Sequence, residues 1–178
     1  PGQHNLLNAA AALSVGIDAG VDVDEALQAL SSFSGAARRF EFKGEAAEVR
    51  VYDDYAHHPT EVQAALTAGR TVAGTGRLHI VFQPHLFSRT QEFFRQFAQA
   101  LSLADSVAVL DIYPAREEPI DGVDSELIAS RIEVPAQVLS PAAAVAHVVE
   151  QSEPGDVIMT IGAGDVTALG PDIVKSLS

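Results

Sequence analysis

Cysteine is absent from the 178 residues, which excludes disulfides, thiolate zinc sites and a cysteine nucleophile together. The absence is compatible with a cytoplasmic protein. Cations are scarce as well: 11 Lys and Arg face 24 Asp and Glu, for a net charge of −13. Lys43 and Lys175 are the only lysines, and no basic run occurs. Neutralising a phosphate backbone needs clustered Lys and Arg, so nucleic acid is not an expected partner. No apolar stretch nears the roughly 18 residues of a membrane span, so no membrane partner is expected either. The opening Pro1-Gly2-Gln3-His4-Asn5 has neither the basic nor the apolar region of a signal peptide. It also lacks an initiator Met, and the chain is expected to be a piece of a longer protein. Neither a Walker-type lysine loop nor a nucleophile elbow is present.

What is there fits one domain, or one domain with a remnant of another. A chain of this length buries roughly 70% of its unfolded surface, enough for a core without staples. Residues 5–19 are alanine-rich and apolar almost all round, which suits a buried helix. Gly20 ends it, and Asp22 or Asp24 caps a second helix over 25–33 with Leu27, Leu30 and Phe33 as its buried stripe. Ser34-Gly35 then punctuates the chain and places a domain boundary between residues 1–34 and 35–178. Beyond it, strands alternate with helices: strands over 40–44, 48–53, 78–82, 106–112, 137–139 and 156–161, helices over 59–73, 88–103, 125–132, 141–150 and 165–177. Short apolar runs separated by helices indicate parallel strands covered on both faces. The fold class is therefore α/β, a Rossmann-like doubly wound, mostly parallel sheet, preceded by a helical remnant.

Ligands of such sheets sit beyond the carboxyl ends of the strands, and the polar clusters fall there. Asp53-Asp54-Tyr55-Ala56-His57-His58 follows one strand, Gln83-Pro84-His85 the next, Asp111 to Glu118 a third, and Gly162-Ala163-Gly164-Asp165 the last. Asp54 has the chemistry to accept two hydroxyl hydrogen bonds, as from a ribose diol, or to cap a helix beside solvated histidines. Adjacent histidines diverge and no third ligand has suitable spacing, so no metal ligand is assigned. Arg89 lies in the first turn of a helix, where free N–H groups favour an anion and a guanidinium grips a carboxylate bidentately. The plainer reading pairs it with Glu92 on the surface. Arg38-Arg39 suggests phosphate contact, or a surface pair flanking a hinge. Gly162-Ala163-Gly164-Asp165 fails as a dinucleotide fingerprint, because Thr167 stands where the third glycine belongs. It reads as a place of close backbone approach.

Taken in order, residues 1–9, Arg38-Arg39-Phe40-Glu41, Asp53 to Glu61, Phe82-Gln83-Pro84-His85, Asp111 to Glu117 and Gly162 to Asp165 resemble the C-terminal portion of the Mur ligases. The segments His57-His58-Pro59-Thr60-Glu61, Gln83-Pro84-His85 and Asp111-Ile112-Tyr113-Pro114-Ala115-Arg116-Glu117 favour the branch that joins L-alanine to UDP-N-acetylmuramate in peptidoglycan synthesis. The murein tripeptide recycling ligases, the nearest rival, are less similar at the last of these. The resemblance implies that residues 1–34 close a central ATP-binding domain and that 35–178 form the C-terminal domain. It implies His4, Asn5, Asn8, Arg39 and Asp54 as ATP contacts, and Tyr55, His57, His85 and Arg89 as substrate contacts, with His57 and Arg89 catalytic. Many relatives carry a second arginine where this chain has Leu86. ATP and Mg2+ are the implied cofactors, the metal ligands lying upstream. UDP-N-acetylmuramate, L-alanine and the enzyme's own N-terminal and central domains are the implied partners. The piece alone is expected to be inactive. A nonenzymatic nucleotide- or partner-binding module and a nicotinamide oxidoreductase are the competing readings, the latter weakened by the failed glycine fingerprint.

Overall fold

The structure is a computed structural model that describes the backbone of residues 3–33 and 35–178, with side chains from residue 6 onward. Contacts divide the chain into two compact units at Ala37/Arg38, three residues beyond the boundary expected from Ser34-Gly35.

In the first unit, α1 (Gln3–Asp18) and α2 (Val23–Ser32) pack on one another. Asp22 starts α2 by accepting from the backbone N–H groups of Asp24 (2.9 Å) and Glu25 (3.3 Å). The expected burial is not what the helices show. Leu6 and Leu7 are 73% and 65% exposed, Val15, Leu27 and Phe33 are exposed too, and Ala26 is the buried residue of α2. Two helices have only one shared seam, and these are apolar on more sides than one seam covers. An apolar groove remains between them, lined by Leu13, Val21, Leu30 and Phe33 among others.

The second unit is built on a six-stranded sheet in the order β1-β2-β6-β3-β4-β5. Its strands are β1 (Glu41–Ala46), β2 (Val49–Asp54), β3 (Leu78–Phe82), β4 (Ser106–Val109), β5 (Ala136–Val138) and β6 (Val157–Ile161). β1 and β2 form an antiparallel hairpin, with Ala47 and Glu48 both at positive φ (48° and 60°) as a two-residue turn requires. All other neighbours run parallel. β3 and β6 are buried at every position, which is why they read as unbroken apolar runs.

Helices cover both faces. Val62 and Leu66 of α3 (Pro59–Ala73), Phe97 and Leu101 of α4 (Phe87–Leu101) and Ile128 of α5 (Glu126–Ala129) share one core with Ile80, Phe82 and Met159. Ala144 and Val148 of α6 (Pro141–Gln151) and Ile173 of α7 (Leu169–Leu177) share the other with Val51, Val81 and Ile158. The last helix begins as a 3-10 turn over Asp165–Ala168. β4 stops at Val109 and α5 spans only Glu126–Ala129, both shorter than their apolar patterns suggest. Ser125 accounts for part of this: its hydroxyl donates to Leu110 O (2.6 Å), tying the loop to the strand's end.

Among the described residues no helix is long and apolar enough to cross a membrane.

Candidate functional site

Strands β2, β6, β3 and β4 are adjacent and parallel, so their carboxyl ends share one edge. The four polar clusters therefore line up as 53–58, 162–165, 83–85 and 111–117. α3 and α4, which follow β2 and β3, pack on one face, while α7, which follows β6, packs on the other. Chains leaving neighbouring strands in opposite directions set a topological switch point at β6, where sheets of this class have their ligand crevice.

Asp53 is fully buried and accepts from Arg38 Nε (3.2 Å), Thr160 Oγ1 (2.6 Å) and Thr167 Oγ1 (2.9 Å). Arg38 also donates to Gly162 O (2.6 Å), so its guanidinium ties β2 to the end of β6. Arg38 and Phe40 both have positive φ (58° and 48°). Neighbouring bonds impose that strain: Arg38 N donates to Glu41 Oε2 (2.8 Å), Tyr55 N to Arg38 O (2.7 Å) and Phe40 N to Asp54 Oδ2 (2.8 Å). Arg39, between them, is exposed, with its guanidinium 5.6 Å from the centre of the Tyr55 ring. It makes no salt bridge among the described residues.

Asp54 is 8% exposed, and its other oxygen accepts from Ala56 N (2.8 Å). Burial raises its pKa against the pull of the two backbone donors and of Arg39. Each oxygen has one lone pair left for a further donor.

Tyr55 meets His57 edge-on, with ring centres 5.1 Å apart, and the His57 and His85 rings lie 6.1 Å apart. His57 Nδ1 lies 3.0 Å from Tyr55 O. A carbonyl only accepts, so Nδ1 carries the proton of this bond and Nε2 is left as the acceptor of the neutral ring. His58 has a different task. It caps α3, its Nδ1 accepting from Thr60 N (3.4 Å), while Glu61 accepts from the backbone of His57 (3.0 Å) and His58 (3.2 Å). This is a capping box with histidine in the usual serine position. Burial pushes the Glu61 pKa up, but those N–H groups and His57 bring it below the ordinary value.

His85 stacks on Tyr113 with ring centres 5.6 Å apart and planes 14° from parallel. Arg89 Nη1 lies 3.5 Å from His85 Nδ1. Burial, followed by the charges of Arg89 and His57, lowers the His85 pKa, while Glu117 opposes. Arg89 is half-buried and makes no salt bridge among the described residues, so the plainer pairing with Glu92 is not present.

The turn over 162–165 is locked to the other clusters. Gln83 donates to Asp165 Oδ1 (2.7 Å) and accepts from Val166 N (3.1 Å). A Cβ on Gly164 would run into the Gln83 side chain and lie 2.8 Å from the Tyr113 ring. Close packing, not a dinucleotide, accounts for that glycine.

Tyr55, His57, His85 and Arg89 thus form one continuous row, with Arg39 and Asp54 at its β2 end. His4 and Asn5 have side chains outside the described residues, and Asn8 is exposed on α1 in the other unit. Among the described residues no group of three or more His, Asp or Glu side chains has the arrangement to hold a metal ion. Asp53, Gln83, Tyr113 and Glu117 were not singled out as site residues by sequence. Only their membership of the four edge clusters signalled them.

A family profile described as "Mur ligase, glutamate ligase domain" matches residues 38–164. The UDP-N-acetylmuramate–L-alanine ligase of Paenarthrobacter aurescens is 58% identical over 99% of the chain, which spans 39% of that relative's length. Among solved structures, the UDP-N-acetylmuramate-alanine ligase of Thermotoga maritima matches 99% of this chain with 38% of its own, at TM-score 0.79 and 28% identity. A murein peptide ligase from Psychrobacter arcticus matches 99% of this chain with 37% of its own, at TM-score 0.69 and 27% identity.

Proposed function

The chain belongs to the Mur ligases through their glutamate ligase domain, and on that premise we propose that it is the C-terminal part of an ATP-dependent ligase joining L-alanine to UDP-N-acetylmuramate. The observation that carries this reading is the row Tyr55–His57–His85–Arg89 along the carboxyl edge of the sheet, ending in a guanidinium that makes no salt bridge among the described residues. The 58% identity to a curated alanine ligase supports this substrate pair. The recycling ligase is the less well supported alternative, its murein peptide ligase match having the lower TM-score.

The reaction activates the muramyl carboxylate as an acyl phosphate, which alanine's amine attacks before phosphate leaves. Arg89 holds the alanine carboxylate, and Leu86 beside it leaves that task to Arg89 and to backbone N–H groups. His57, whose Nε2 is the free acceptor of the neutral ring, accepts the proton that the amine sheds on attack. Tyr55 and His85 bound the acceptor end. Arg39 reaches the ATP phosphates, and the free lone pairs of Asp54 take the ribose hydroxyls. Mg2+, when bound, would screen the phosphates, and in this reading its ligands lie in the central ATP-binding domain rather than in this chain's C-terminal unit. Positioning and charge stabilisation carry such chemistry.

Residues 1–34 belong in this reading to the central ATP-binding domain, with His4, Asn5 and Asn8 assigned to ATP binding. The exposed apolar sides of α1 and α2 are the surface which that domain covers. The enzyme acts in the cytoplasm in this reading.

The test is steady-state ligation by the full-length enzyme and its Arg89→Ala variant. The expected result is an L-alanine KM raised about 10- to 100-fold, since a charge-assisted bidentate grip is lost, with the ATP KM within twofold. An unchanged L-alanine KM removes Arg89 from the acceptor site.

A further inference from the structure

The N-terminus of α4 carries Arg89 in its first turn, yet it has no cap of its own. Leu86, its N-cap residue, offers no side-chain acceptor and has φ of 75°, a conformation L-residues avoid. The missing acceptor comes from a distant loop. Glu117 accepts from Ser88 N (2.9 Å) with one oxygen and from Ser88 Oγ (2.5 Å) with the other. The same loop holds His85. Tyr113 N donates to Pro84 O (2.8 Å) and Leu86 N to Tyr113 O (2.9 Å), a parallel bridge that brackets His85 while the Tyr113 ring lies flat on the imidazole. Behind that ring stands Gly164, whose lack of a Cβ makes the seat.

We propose that Tyr113 and Glu117 are positioning residues of the amino-acid acceptor site, Tyr113 fixing the plane of His85 and Glu117 fixing the turn of α4 that presents Arg89. The inference deepens the acceptor-site reading and rests on it. Neither residue needs to touch substrate; each acts through the side chain it holds. The two bonds that the Glu117 carboxylate accepts from Ser88 end on the residue next to Arg89, and the stack of Tyr113 ends on the imidazole beside the same guanidinium.

Two measurements test the proposal. In the full-length enzyme, Glu117→Ala is expected to raise the L-alanine KM about tenfold with the ATP KM within twofold, because misplacing a binding group by a fraction of an ångström has effects of that order. Glu117→Gln, whose amide oxygen still accepts from Ser88, recovers most of the loss. Tyr113→Phe keeps the ring and stays within about twofold of wild type, whereas Tyr113→Leu falls about tenfold in kcat/KM for L-alanine. The second measurement follows the histidine ring resonances of this chain against pH, without substrate. His57, Arg89, Tyr113 and Glu117 are the groups facing His85, and Tyr113→Leu is expected to move the His85 titration up toward the ordinary histidine range.

If Arg89→Ala raises the L-alanine KM while Glu117→Ala and Tyr113→Leu leave it unchanged, the loop is structural and the proposal falls. If Arg89→Ala itself has no effect, the acceptor-site reading falls first, and an unmoved His85 titration then removes the stack as well. Should Tyr113→Leu not fold, the Glu117 pair and Tyr113→Phe decide.

Discussion

Arg38 and Arg39 are neighbours in sequence with opposite surroundings. Arg38 pairs with fully buried Asp53 and bonds Gly162 O, while Arg39 is exposed and has no salt bridge among the described residues. Arg38→Ala leaves the Asp53 carboxylate buried without its cation, and is expected to lower stability by about 3 kcal/mol. Arg39→Ala should change stability by less than about 0.5 kcal/mol yet raise the ATP KM of the full-length enzyme. Urea unfolding of the chain and steady-state kinetics separate the two, and equal stability losses would contradict the assignment. Sequence alone presented these arginines as a pair. Their difference depends on Asp53, Thr160 and Thr167, which converge only when β2 and β6 are side by side.

At the scale of elements, strands β3 and β6 were legible because their burial on both faces leaves no polar position to confuse the pattern. The ends of β4 and α5 were not, since they depend on side-chain bonds from loops, such as Ser125 to Leu110 O. The amino-terminal edge holds a second group hidden from the sequence. His79, 1% exposed, sits between Ser106 Oγ (2.7 Å from Nδ1) and Asp156 Oδ2 (3.1 Å from Nε2), bracing β3, β4 and the start of β6. Ser, His and Asp in contact suggest hydrolysis, but this group is buried at the edge opposite the crevice, and the neutral ring satisfies both bonds by donating to Asp156 and accepting from Ser106.

Burial lowers the His79 pKa despite the carboxylate beside it. A depressed histidine pKa favours the folded state only while the ring is neutral. Its contribution is complete above the unfolded value of about 6.5 and is lost as pH falls through that value toward the folded one. His85, also lowered, adds in the same window. Asp105 and Asp156 have pKa values carried below the ordinary range by their hydrogen bonds and cationic neighbours in spite of burial, so their contributions persist to about pH 4 and are lost below it. Thermal midpoints of this chain should therefore fall in two stages on acidification, the first setting in below about pH 6.5. His79→Gln should flatten that first stage, and an unchanged slope would show that His79 is not its source. Gly164→Ala tests the crevice in the same way: its Cβ meets Gln83 and Tyr113, and a loss of about 1–3 kcal/mol is expected in urea unfolding.

For the whole molecule, the alignment of four polar clusters on one edge followed from the α/β pattern alone, because parallel strands put every carboxyl end on the same side. The exposed faces of α1 and α2 did not follow. An apolar periodicity announces that a helix will be covered, without saying by which part of a protein. The chain spans about two fifths of the length of its curated relatives, and the proposed chemistry divides accordingly, with the acceptor contacts, Arg39 and Asp54 here and the phosphate loop and metal ligands elsewhere. The most direct test is phosphate release measured on the full-length enzyme and on this chain, with ATP, UDP-N-acetylmuramate and L-alanine each omitted in turn. Release is expected from the full-length enzyme only when all three are present, and none from the chain alone. Turnover by the isolated chain, or a folded full-length protein that releases no phosphate with all three, would overturn the ligase reading.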